Sequence, residues 1–549
     1  MHYNSVSMQN LELFHRRVQE YLEELWKKDP VTATSAGVHQ WDDRLPSLTE
    51  TSLKERSQWL RKFEKQLRQD IPPKTLSLSE QLDYQALLGN IHSELLDIEQ
   101  FQWHKKLPAL YLDSVLYGVL LLLIHDFAPL PQRAKKVLGR LKELPRLFKE
   151  GSRQIQNTSQ IYLDIGIEIL LNGKIFINQL IPSLAQKTPE LSSEFEAALK
   201  EANLSFEAFL AFLEVLKDTA TAPFAVGEKL FLEKIKADFE MDVSCQQLIE
   251  QAKNSMIQIR AEIEKLRENS GLKEDLASLF SKLKEQSPSP DKVIRHYQSE
   301  VARAREWILK NKLTPIAQGE TLEVVPTPEF ERPTTPYAAY ISPAPFDAIQ
   351  KGFFWVTPIL ESASQREKQQ QLQGHCIPGI PVTVAHEAYP GHHLQLSYTN
   401  HLESLFRKAS SNTMTCEGWA HYCEHLMNEH GFYQDTATRL FFLRDSLWRA
   451  CRVLVDVGLH TQGMTIVEAT QFLVKEAFLE PANAVAEVKR YTMSPTQPLC
   501  YLVGKLEILK LREECRKKKG SGFSLYEFHE RFLRASSLPI PLIRKELLS

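Results

Sequence analysis

Apolar positions in the first half of the chain recur at steps of three and four. Leu11, Phe14, Val18, Tyr21, Leu22 and Leu25 form one stripe, and Ile249, Ala252, Met256, Ile259, Ile263 and Leu266 form a second, nearly unbroken one. That period, with polar residues between, predicts amphipathic helices that each turn one face to a core. Phe206 to Leu216 is apolar on more than one face, so a more deeply buried helix is expected there. The longest apolar run, Val115 to Ile124, is interrupted only by Tyr117 and Gly118. It falls well short of the ~20 residues a spanning helix needs and predicts a buried core helix. No repeat of fixed period occurs, which excludes a solenoid.

The pattern changes after Leu283. Ser287-Pro288-Ser289-Pro290 is a breaker cluster and predicts a connection between substructures. A further helix is expected over Lys292 to Leu309. Beyond it, seven prolines between Pro315 and Pro345 exclude helix. Short strands are predicted at Thr321–Val325, Tyr337–Ile341 and Gly352–Thr357, forming a small sheet whose edge the prolines blunt. From about Pro381 the pattern is helical again. The expected fold is mainly α with a small β-sheet. It comprises a helical N-terminal half (1–285) and a second half (286–549) with its sheet at about 315–360, joined in one two-lobed unit.

Composition narrows the function. The chain of 549 residues is 43% hydrophobic and 25% charged, the mix of an ordinary globular protein rather than a disordered one. Its 66 Lys+Arg against 69 Asp+Glu give a net charge of −3, so no sequence-wide basic footprint exists for nucleic acid or acidic lipid. Met1 to Met8 lacks a basic stretch leading into an apolar core, and charges crowd Glu12 to Lys28. This predicts no secretory signal, no membrane partner and a cytoplasmic location. Seven scattered cysteines without a C-x-x-C pair argue against a disulfide framework or a cysteine-rich zinc site.

Chemistry concentrates between 381 and 430. In Val384-Ala-His386-Glu387-Ala-Tyr-Pro390-Gly391-His392-His393-Leu-Gln395, three histidines and a glutamate fall within eight residues. Neutral imidazole is the commonest zinc ligand, and an adjacent glutamate suits proton removal from water. In the common H-E-x-x-H pattern the histidines are four apart, but here Pro390 holds that position. On a straight helix His386 and His392 would lie ~120° apart, and His393 would lie ~10.5 Å along the axis from His386. Neither pair closes on one ion, so the helix must kink or bulge. Pro390 cannot donate to the carbonyl of His386, and Gly391 accepts unusual dihedrals. Geometry alone leaves open whether His392 or His393 joins His386.

A further ligand is expected from Cys416-Glu417-Gly418-Trp419-Ala420-His421-Tyr422-Cys423-Glu424. Glu417, His421 and Glu424 share one helix face, and the apolar residues around them predict its burial. One carboxylate there would complete a metal site and the other would orient a histidine.

These two motifs, H-E-A-x-P-G-H-H-x-Q and E-G-W-A-x-Y-x-E, resemble the bacterial family of unknown function catalogued as DUF885, regarded as zincin-like. More distantly they are similar to the helical gluzincin peptidases, such as angiotensin-converting enzyme, thimet oligopeptidase and the thermostable carboxypeptidases. The resemblance extends from Asp29-Pro30 through Arg452–His460 to Arg490-Tyr491, Pro495, Gln497, Tyr501 and Gly504. It implies a helical zincin-like architecture with a deep cleft, and one zinc or other divalent ion held by His386, His392 or His393, and Glu417. Glu417 follows His392 by 25 residues and His393 by 24, both within the gluzincin spacing. The His393-Leu394-Gln395 continuation favours His393.

The implied activity is hydrolysis of peptide bonds in short or unstructured peptides, with Glu387 as general base. Tyr501 is the first candidate to bind the oxyanion, against an ordinary core tyrosine, ahead of His460, Arg490 and Tyr491. Glu424 and His421 are expected beside the ligands. Asp456 and His460, four apart on a predicted helix, form a structural polar pair. The Gly352–Thr357 strand either pairs with an extended substrate or lies inside the sheet. Two other classes fit the same residues: a metal-dependent esterase or amidase acting on small molecules, and a non-catalytic helical binding protein with a vestigial metal site.

Overall fold

The stripe from Ile249 to Leu266 becomes the buried face of the helix Cys245–Asn269, opened by a Ser244/Gln247 capping box. Phe14, Val18, Tyr21 and Leu22 are likewise buried along the helix His2–Lys28. The computed structural model describes residues 2–549 apart from 329–331, 333, 334, 336, 361, 362 and 536. Pro333 and Pro336 of the proline-rich stretch therefore lie outside the described residues. Helix makes up 74% of the chain, with one small mixed sheet, the fold class its pattern predicts.

The apolar run at Val115 lies within the helix Pro108–Ile124, where Val115, Val119, Leu121 and Leu122 are buried. Among the described residues no single helix is long and apolar enough to cross a membrane. The expectation for Phe206–Leu216 is corrected. Phe206, Phe209 and Leu213 are buried, but Val215 is 72% exposed, so the helix Ser192–Leu216 packs on one face only.

The chain forms two compact units. One comprises Met1–Val226 with Ala344–Ile349 and Ser404–Ala409; the other comprises Gly227–Pro343, Gln350–Glu403 and Ser410–Ser549. The division falls at Val226, not near 285. The physical reason is that the apolar face of Cys245–Asn269 is covered by the C-terminal helix Thr436–Thr461. An ion pair at 2.6 Å ties Arg260 of the same helix to Glu476 on a further C-terminal helix, Ile466–Ala477. The Ser287–Pro290 breaker is only a link between the helices Leu276–Lys284 and Val293–Lys310.

The second unit contains the sheet, with β1 (Thr321–Pro326), β2 (Ala338–Ile341) and β3 (Lys351–Val356) in the order β1-β3-β2. β1 runs parallel to β3 and β2 antiparallel to it. All three strands fall where the sequence predicts. The central strand is β3, whose Phe354, Trp355 and Val356 are buried. With both edges paired it has no free backbone groups for a substrate, so of the two readings for Gly352–Thr357 the buried strand is the one observed. The edge beside the metal motif belongs to β2 instead.

Candidate metal centre

The helix that starts at Ile380 ends at Glu387, and a new one runs from His392 to Asn400. Between them the chain turns out of the helical path through Ala388–Gly391, including a cis Tyr389–Pro390 peptide. Any Cβ on Gly391 would overlap the carbonyl oxygen of His386, so only glycine permits this close return. The carbonyl of Pro390 accepts from Trp419 Nε1 at 3.0 Å and from Cys423 Sγ at 3.4 Å, fastening the turn to the helix Thr413–Glu429.

This break brings His386 and His392 together with Glu417. Their ligand atoms all lie within 4.8 Å of one another, the one such cluster among the described residues. Glu417 Oε2 is 3.6 Å from His386 Nε2 and 3.4 Å from His392 Nε2. Ligands at ~2.0–2.1 Å from a tetrahedral ion stand about 3.3–3.5 Å apart, so these spacings fit a metal with little movement. The donor set, two imidazole nitrogens and a carboxylate, suits zinc and leaves a coordination position open. Glu417 Oε2 is also buried without a hydrogen-bond donor, an uncompensated cost that a cation would remove.

Surrounding groups prepare these atoms. His386 Nδ1 lies 2.7 Å from Glu424 Oε1, which leaves Nε2 facing the cluster. Glu424 is fully buried and also meets Arg449 Nη2 at 3.3 Å and His421 Nδ1 at 3.4 Å. Burial opposes its charge, yet Arg449, His421 and His386 hold its carboxyl well below the ordinary range. Glu417 is likewise held low against burial by His386 and His392. Burial also disfavours the His386 cation, but Glu417 and Glu424 raise that imidazole to about 10.

His421 is a partner of Glu424, not a member of the cluster. Burial, reinforced by the charge of Lys505, lowers it to about 3 and keeps it neutral. The preference for His393 is corrected. Its Nε2 is 2.7 Å from Glu320 Oε2 and its Nδ1 3.1 Å from the Tyr340 hydroxyl, so both ring nitrogens are engaged away from Glu417. The physical reason is rotational: the helix restarts at His392, and the next residue points to a different side of it.

Glu387 is half-buried at the end of the first helix, and its charge acts on His386. Tyr501 comes from the helix Cys500–Lys519, with its ring centroid 6.4 Å from that of His386. Gly418 and Gly504 permit the approach, since a Cβ on Gly418 would stand 2.6 Å from Gly504 Cα. Arg490 Nη1 donates to Gln497 Oε1 at 2.6 Å, so the Gln497 amide nitrogen faces Tyr501 Oη at 3.3 Å. The tyrosine oxygen accepts that bond, leaving its own proton free for another acceptor.

The weaker oxyanion candidates are committed elsewhere. The Tyr491 hydroxyl donates to Glu487 at 2.6 Å and accepts from Arg452 at 2.9 Å. His460, kept neutral by burial that lowers it to about 4, bonds the Tyr491 carbonyl at 3.0 Å. Asp456 Oδ1 accepts from the Thr496 backbone at 3.3 Å and stands 3.9 Å from His460 Nε2, beyond hydrogen-bond range, so the expected pair does not bond directly. Arg490 supports Gln497 and Glu487. Glu320, Arg449 and Lys505 escape a reading by motif because each lies far from the histidines in sequence and on no recognisable pattern. Gln497 lies within the resemblance but had no role assigned there.

A family model described as "Bacterial protein of unknown function (DUF885)" matches residues 30–547. No curated protein matches the chain. Among solved structures, a "putative lipoprotein of unknown function" from Shewanella oneidensis is 25% identical, with TM-score 0.82 over 98% of this chain and 100% of its own. A "putative lipoprotein" from Colwellia psychrerythraea is 18% identical, with TM-score 0.82 over 99% of this chain and 98% of its own, and shows the shared fold. These descriptions overturn the cytoplasmic expectation. It rested on the lack of a secretory pattern near Met1–Met8, the shortness of the Val115–Ile124 run and the scattered cysteines, and absent patterns do not locate a protein.

Proposed function

The chain belongs to the DUF885 family, and on that premise we propose that it is a zinc-dependent hydrolase of peptide bonds in short or unstructured peptides. The observation that carries this reading is the convergence of His386 Nε2, His392 Nε2 and the unpartnered Glu417 Oε2, with Glu387 adjacent in the chain. Imidazole and carboxylate also suit manganese, iron or cobalt, so zinc is the first metal to try rather than the sole one. When bound, the ion supplies Lewis acidity, polarising a carbonyl oxygen and acidifying water.

The remaining steps belong to the chain's own residues. Glu387 takes the proton of the attacking water and delivers it to the leaving nitrogen. Tyr501, with its oxygen held by Gln497, donates its proton in a hydrogen bond to the developing oxyanion. Glu424 fixes the tautomer and orientation of His386.

A peptide is favoured over a compact ester or amide by strand β2. It pairs only with β3 among the described residues, and Tyr340 from it touches His393, the neighbour of His392. An extended backbone adding to that edge would lie beside the cluster. A vestigial binding protein is disfavoured by Glu387, since a structural site has no use for a general base and closes all four positions. The test is cleavage of a mixed peptide library, read by mass spectrometry, against wild type and Glu387→Gln. Cuts that vanish in the variant support the reading. Intact peptides together with hydrolysis of simple esters would replace it with the esterase alternative.

A further inference from the structure

The turn between His386 and His392 is held by a buried carboxylate that no motif contains. Glu320 precedes β1, and its side chain is only 2% exposed. One oxygen, Oε2, receives the Tyr389 hydroxyl at 2.7 Å and His393 Nε2 at 2.7 Å. The other, Oε1, meets Arg305 at 3.3 Å. Tyr389 lies three residues before His392 and His393 one after, so a single oxygen grips the chain on both sides of the candidate ligand. The far nitrogen of His393 meets Tyr340 Oη at 3.1 Å and Ser397 Oγ at 3.5 Å, which completes the clamp. A Cβ on Gly352 of β3 would approach His393 Nδ1 to 2.9 Å and Tyr340 Oη to 3.0 Å, so the sheet leaves room for this pair only because that residue is glycine.

We infer that Glu320 is a positioning residue that sets where His392 stands relative to Glu417, by bonding Tyr389 and His393 at once. It touches none of the three cluster atoms and acts through the turn alone. A buried carboxylate is costly unless its oxygens are hydrogen-bonded, and the bonds that satisfy Glu320 here are the same ones that tie Tyr389 to His393. The inference rests on the metal reading for its purpose, but the geometry it asserts does not.

The experiment uses the full-length protein as wild type, Glu320→Gln, Tyr389→Phe and, as a control, Arg305→Gln. Crystal structures of the metal-free forms read the His392 Nε2–Glu417 Oε2 separation, 3.4 Å in the wild type. Displacement of His392 in Glu320→Gln, smaller displacement in Tyr389→Phe and none in Arg305→Gln is the expected result. In parallel, cobalt(II) is titrated against a chelator. Affinity is expected to fall ~10–100-fold in Glu320→Gln, with a shifted visible spectrum, as for other groups that orient ligands. An unmoved His392 in both Glu320→Gln and Tyr389→Phe overturns the inference; should Glu320→Gln fail to fold, Tyr389→Phe, which loses only an oxygen, decides alone. A wild type that takes up no cobalt would count against the metal reading, while the crystallographic arm would still decide the role of Glu320.

Discussion

Glu424 Oε1 lies 2.7 Å from His386 Nδ1, and the same carboxylate faces Arg449 at 3.3 Å. One buried charge therefore orients a candidate ligand and neutralises a guanidinium. Glu424→Gln keeps the shape but loses the charge, and is expected to weaken metal affinity ~10–100-fold in a chelator competition. Glu424→Ala leaves the buried Arg449 with Asp445, at 3.3 Å, as its remaining carboxylate partner, and the lost partner is expected to cost about 1–3 kcal/mol of stability by denaturant titration.

Tyr501 and Gln497 divide one function between them. Tyr501→Phe removes the proposed oxyanion donor and is expected to lower kcat on the order of 10²–10³-fold with little change in KM. Gln497→Leu leaves the donor in place but unoriented, so its loss in kcat should be smaller and in the same direction. Steady-state kinetics on one cleaved peptide checks both. Equal KM effects with unchanged kcat would return Tyr501 to the role of an ordinary wall residue.

The Gly418–Gly504 crossing brings Glu417 and Tyr501 within range of each other. Gly418→Ala drives a Cβ into backbone, 2.6 Å from Gly504 Cα, where no side chain can move aside. A loss of about 1–3 kcal/mol in urea unfolding is expected, with reduced activity at temperatures where the variant remains folded. Wild-type stability in Gly418→Ala would show that the helices can part freely.

His39 in the N-terminal unit gives a pH dependence away from the candidate site. Its ring stacks on Phe127 at 3.6 Å and bridges Asp42 and Asp347, each at 2.8 Å. Burial disfavours its cation, but the bonds to Asp347 and Asp42 raise it to about 9. The folded state thus holds this proton more tightly than the unfolded chain, whose value is about 6.5. The contribution is fully present below that value and is lost as pH rises through about 9. Thermal melts of wild type and His39→Gln should differ most near pH 6 and converge above about 9. A gap that widens with pH would contradict the assignment.

Local pattern carried much of this structure. The Ile249–Leu266 stripe needed only the helical period, and the three short strands needed only their β-rich runs between prolines. His386 and Glu417 were legible because their motifs fix the residue types in one short window each. His392 was not separable from His393, since the choice depends on where a helix restarts after Gly391, and a one-residue shift rotates it by about 100°. The burial of β3 was equally hidden, because its parallel partner Thr321–Pro326 lies thirty positions upstream across the proline-rich stretch. The division at Val226 depends on Thr436–Thr461 covering a helix from the first half, which no local composition records.

The most direct test of the central claim is elemental analysis of the purified protein beside His392→Ala, Glu417→Ala and His393→Ala. The account predicts about one zinc or equivalent divalent ion per chain in the wild type. That ion should be absent from the first two variants and retained, more weakly, in the third. A folded wild type that contains no metal and takes up no added zinc, or a His392→Ala protein that keeps its full complement, would contradict it.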